Sequence, residues 1–204
     1  MKIEELRTLY ASLPQIGALA SLLADRKKQN ITLNGLVASA PALFFAAFSE
    51  RHPHTILFIL EDTDAAGYFY NDLKALGVEA FLFPSSYRRA VKYGQRDAGN
   101  EILRTETMAA LSVKNASDKP LYIVTEPSAL AERVVSKEHL SDNTISLAAG
   151  QEVEVVGLEK RLRALGFQEV DYVYEPGQFA VRGSILDIYS YSSEYPFRID
   201  FFGD

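Results

Sequence analysis

Three short apolar runs, Thr55–Leu60, Glu79–Phe83 and Leu121–Thr125, alternate with stretches of helical spacing along the middle of the chain. That order constrains the fold more than any other feature. Near-continuous apolar strands separated by amphipathic helices predict a parallel sheet covered on both faces. Ile31–Ala38 reads as a further strand, leading into a helix over Ala42–Arg51. Asp64–Leu76 reads as a helix capped by Asp62 or Thr63, and Asp97–Ser112 as a long helix. Pro127 suits the first turn of another helix. Ahead of this unit, residues 2–12 and 15–29 read as two helices broken at Pro14, with Leu19, Leu22 and Leu23 forming an apolar stripe.

The pattern changes near residues 136–150. A strand over Thr144–Leu147, a helix over Gly157–Leu165 and three short strands at the end predict an α+β unit. The expected division is an α/β domain over residues 1–140 and a small α+β domain over 141–204. With 204 residues the chain can hold two modest cores. It ends on Phe201-Phe-Gly-Asp204, where a strand should turn into another, so the reading expects a fragment of a longer protein.

Composition removes several function classes. The net charge is −6, so the chain lacks the overall basic character that drives non-specific DNA binding. There are no cysteines, which excludes disulfides, thiolate metal sites and cysteine nucleophiles. No run approaches the roughly 20 apolar residues of a membrane span. The N-terminus reads as an acidic amphipathic helix, without the apolar centre of a signal peptide.

A phosphate-binding loop requires G-x-x-x-x-G-K-[ST]: glycines let backbone N–H groups wrap phosphates, lysine neutralises them and the hydroxyl holds magnesium. The corresponding window here is Gly35-Leu-Val-Ala-Ser-Ala-Pro41-Ala42. Pro41 replaces the lysine and Ala42 the hydroxyl, so no ATP is expected to bind. Arg88, Arg89, Lys92 and Arg96, interleaved with Tyr87 and Tyr93, form a short basic segment. Cations among aromatics suit a nucleic-acid surface through stacking and phosphate contacts, and a DNA-binding scaffold is the alternative function. On an acidic chain, a solvated loop paired with Asp97 or Glu101 is the simpler account. His52 and His54 lack a third neighbouring ligand, and His139 is isolated, so no metal site is expected. There is no G-x-S-x-G elbow for a hydrolase.

The final strand, Phe197-Arg-Ile-Asp-Phe-Phe202, carries the most specific signal. Alternation puts Phe197, Ile199 and Phe201 on one face and Arg198, Asp200 and Phe202 on the other. Arginine beside an exposed phenylalanine is the composition of a protein–protein hot spot. A ring packed under a continuing hairpin remains equally compatible with the pattern.

Pro176-Gly-Gln-Phe179-Ala-Val-Arg182-Gly183-Ser-Ile-Leu-Asp187-Ile-Tyr189, that final strand, and the lead-in Leu165-Gly-Phe-Gln-Glu-Val-Asp171 closely resemble the UvrB-like modules of bacterial transcription-repair coupling factors. The degenerate loop at Gly35–Ala42 and Ile123-Val-Thr-Glu-Pro127 also fall where that family has them. The resemblance implies a degenerate RecA-like domain without nucleotide, followed by a UvrA-docking domain. It implies docking through Arg182, Arg198 and Phe202, with no cofactor and no catalysis by this part. UvrB itself keeps a working phosphate loop, a long tyrosine-rich hairpin and an additional docking arginine. Pro41, the short passage after Phe83 and Glu169 depart from it at those places. For the full-length family protein the resemblance implies an ATP-dependent DNA translocase of the bacterial cytoplasm. Its further partners would be RNA polymerase, duplex DNA and its own C-terminal domain.

Overall fold

The structure is a computed structural model that describes residues 2–25, 30–87, 97–113 and 119–202. Contacts divide the chain into two compact units, residues 1–84 with 114–131, and residues 85–113 with 132–204. The single cut at residue 140 read from the sequence differs from this division, because the second unit takes in an earlier stretch of chain.

In the first unit, α1 (Ile3–Ala11) and α2 (Pro14–Ala24) lead to α3 (Ala40–Arg51). Ile16, Leu19, Phe44, Ala47 and Phe48 bury themselves where these helices meet. Arg51 ties the packing by donating Nη1 to the Ala11 carbonyl at 2.8 Å, at the open end of α1. The sheet comprises β1 (Ile56–Ile59), β2 (Ala80–Phe83) and β3 (Tyr122–Thr125), in the order β1-β3-β2 and parallel throughout. Between β1 and β2 runs α4 (Thr63–Ala75), whose cap is Asp62: its carboxylate accepts from Ala65 N–H at 2.8 Å. Phe58, Leu73, Tyr122 and Val124 form the core between sheet and helices. The short α6 (Pro127–Leu130) follows β3 with proline in its first turn.

Two expectations fail in this unit. Ile31–Ala38 forms no strand: Gly35 and Ala38 take φ of 83° and 50°, which ends any extended run. Ile31, Leu33 and Leu36 instead pack as loop residues against the helical core. Nor is β1 covered on both faces, since Leu57 and Ile59 are half-exposed while Phe58 between them is buried.

The second unit contains α5 (Ala98–Val113), α7 (Lys137–Asp142) and α8 (Val155–Ala164). Its sheet is β4 (Gln168–Glu169), β5 (Gln178–Arg182), β6 (Ile185–Tyr189) and β7 (Phe197–Asp200), in sequence order. β5-β6-β7 is an antiparallel meander, and β4 adds in parallel to β5. Leu158 and Leu162 of α8 pack on Phe179, Leu186 and Ile188. Thr144–Leu147 is not a strand. Its backbone continues from the end of α7, with Thr144 N–H donating to Ser141 O, and only Ile145 reaches the core. The place beside β5 is taken by β4, which was not anticipated. A mixed α/β chain with a parallel three-stranded sheet and a separate small sheet is the fold class expected.

Candidate protein-docking face

Strand alternation sorts the small sheet into two faces. Phe179, Val181, Leu186, Ile188, Ile199 and Phe201 face or pack against the α8 core. Arg182, Asp187 and Arg198 lie on the other side. Register brings them together: Ala180, Asp187 and Arg198 stand directly opposite one another across three strands. The small Ala180 leaves room for Arg182 to reach Asp187 diagonally.

Asp187 receives both guanidinium groups. Arg198 donates Nε to Oδ1 at 2.7 Å and Nη2 to Oδ2 at 2.9 Å, a bidentate fork. Arg182 donates Nη2 to the same Oδ2. The aspartate side chain is only 8% exposed, whereas those of Arg182 and Arg198 are 38% and 64% exposed. The hydrogen bond from Arg198 holds the Asp187 carboxyl below the usual carboxylate range, outweighing the opposing effect of burial; the two positive charges act in the same direction. The Tyr172 ring adds a wall, with the Arg182 guanidinium carbon 4.9 Å from its centroid. Beyond β7, Phe201 packs on the core and Phe202 is 89% exposed. Asp200 is also exposed here and accepts from the Ser184 hydroxyl at 3.2 Å.

The sequence reading placed no role on Asp187 or Tyr172. An acidic residue flanked by Leu186 and Ile188 on a strand whose two neighbours each carry an arginine was the available signal. Glu169 is paired with Arg163 at 2.6 Å, and Arg163 also holds Glu159 at 2.9 Å.

The remaining candidates fall elsewhere. In the Gly35–Ala42 window, Ala42 is fully buried in the core between sheet and helices and Pro41 occupies the first turn of α3. Arg88, Arg89, Lys92 and Arg96 lie outside the described residues. Ahead of that segment, Glu132 accepts from the Ser86 backbone N–H at 3.0 Å and the Ser86 hydroxyl at 2.6 Å. Arg104 lies 3.4 Å from the same carboxylate, and Asp97 N–H donates to Ser86 O at 2.9 Å. His54 Nδ1 lies 2.9 Å from His52 O, a local turn contact. Among the described residues, no cluster of three or more histidines and acidic residues could hold a metal ion. Among them too, no helix is long and apolar enough to cross a membrane.

The exposed, charge-organised sheet belongs to a region with a known family pattern: residues 145–204 match the family model of the UvrB interaction domain. The face therefore lies in the part of the chain that is similar to UvrB interaction domains. Over most of its length the chain is similar to transcription-repair-coupling factors, as the C-terminal motifs imply. The Haemophilus influenzae protein is 28% identical across 84% of the chain and 15% of its own length. The Escherichia coli protein is 25% identical, with the same shares. UvrABC system protein B of Streptococcus uberis is 28% identical across 72% of the chain and 24% of its own length. The chain thus spans about 15% of the length of the coupling factors it matches.

Proposed function

We propose that this chain is a non-catalytic recruitment module of transcription-coupled nucleotide excision repair, binding UvrA to bring the excision machinery to stalled RNA polymerase. One observation carries the reading: within the region matched as a UvrB interaction domain, Arg182 and Arg198 share one exposed face, organised by a single buried aspartate. Outward guanidinium N–H groups suit acidic side chains of UvrA, and the exposed Phe202 ring suits an apolar recess. Residues 141–204 act as the docking domain and the α/β part as its scaffold. Translocation, RNA polymerase contacts and DNA contacts belong to other parts of the bacterial cytoplasmic protein from which such a module comes. Catalysis is not assigned to this chain, because Pro41 and Ala42 replace the groups that hold a nucleotide.

The test is calorimetric titration of purified UvrA with the chain, beside Arg182→Ala and Arg198→Ala. Saturable binding by the parent that both variants weaken supports the reading. An absence of binding by the parent, or equal binding by all three proteins, overturns it.

A further inference from the structure

We propose that Asp187 is the positioning residue of this docking face: its one buried carboxylate holds Arg182 and Arg198 in the arrangement that receives a carboxylate of UvrA. The inference rests on the function proposed above and adds a residue that itself touches no partner. An arginine on an open strand samples many rotamers, and ordering two of them at the moment of docking would oppose binding. Here the ordering is already done. Arg198 is held through both Nε and Nη2, and Arg182 through Nη2 on one side and the Tyr172 ring on another. Asp187 is nearly buried while both arginines stay exposed, so their remaining N–H groups are left to face outward.

Charge and positioning predict opposite outcomes. The face carries Arg182, Arg198, Asp187 and Asp200, so removing the Asp187 charge makes it more positive. Electrostatic attraction alone would then tighten an acidic partner. Loss of positioning would weaken it, mainly through faster dissociation.

The experiment measures UvrA binding kinetics for the parent chain, Asp187→Asn, the Arg182→Ala/Arg198→Ala double variant, and the triple variant combining all three. The expected result is about a tenfold weakening by Asp187→Asn in the parent background and no further loss in the double-variant background, the non-additivity of residues acting as one unit. NMR of the free parent chain supplies a readout independent of whether Asp187→Asn folds: the Arg198 Nε–H should exchange slowly with solvent. Unchanged or tighter binding by Asp187→Asn, while the arginine variants lose binding, overturns the inference and leaves the proposed function standing. A further loss in the triple variant, or a rapidly exchanging Nε–H, also overturns it. Failure of the parent to bind UvrA overturns both.

Discussion

The Tyr191 hydroxyl stands 2.5 Å from the point a Cβ would occupy on Gly177, with the ring carbons Cζ and Cε2 at 3.1 and 3.2 Å. Gly177 also has φ of +86°, and its backbone is held on both sides: its N–H donates to Tyr189 O at 2.7 Å and its carbonyl accepts from Gln168 at 2.8 Å. Neither ring nor backbone can shift without breaking other contacts, since Tyr191 also packs edge-on against Phe167. Gly177→Ala should therefore destabilise the small sheet by about 1–3 kcal/mol. Urea unfolding checks this. Adding Tyr191→Ala should relieve only the steric share, because the backbone strain remains.

The two arginines should differ in what they do for folding. Arg182→Ala leaves Asp187 its bidentate partner, so stability should change little. Arg198→Ala leaves a nearly buried carboxylate with Arg182 alone and should destabilise by about 1–3 kcal/mol. Each should weaken UvrA binding by about 2–4 kcal/mol. Tyr172→Ala should have a smaller effect, about 0.5–1 kcal/mol, the scale of an exposed cation–π contact. Thermal melts paired with UvrA titrations separate these effects.

Acid should loosen the second unit through two carboxylates. Asp187 is held low chiefly by the Arg198 hydrogen bond. At Glu132 burial pushes upward, but hydrogen bonds from Ser85 and Ser86, with the Arg104 charge, lower it on balance. A depressed folded value means the stabilisation is present above the unfolded carboxylate range, near pH 4, and is lost as pH falls through the folded value. Urea unfolding between pH 7 and pH 2 should show stability falling in that acid range. The fall should be shallower in Asp187→Asn.

The chain should not bind magnesium–ATP. Pro41 offers no backbone donor and Ala42 no hydroxyl. Titration with a fluorescent ATP analogue in the presence of magnesium should give no saturable signal, and micromolar affinity would contradict the expectation.

Duplex DNA binding should be weak and should disappear with salt. Four cations between Arg88 and Arg96 can neutralise only a few phosphates. Fluorescence anisotropy at rising salt checks this. Tight binding at physiological salt, abolished by Arg88→Glu with Arg89→Glu, would favour the DNA-binding alternative.

Local sequence determined the elements whose causes are local. Asp62 capping α4, Pro127 opening α6, and the alternation that separates Arg198 from Ile199 all follow from neighbours within a few residues. The C-terminal motifs also pointed to the family matched over residues 145–204. Partners distant in the chain were decided by tertiary structure. An apolar run becomes a strand only if another backbone pairs with it, and Ile31–Ala38, turned by Gly35 and Ala38, has no place in the sheet. The exposure of Leu57 and Ile59 likewise reflects what covers each face, which periodicity does not contain. Asp187 is the sharpest case. Its grip on Arg182 and Arg198 depends on the register of β5, β6 and β7, and a shift of one residue in β7 would send Arg198 to the opposite face.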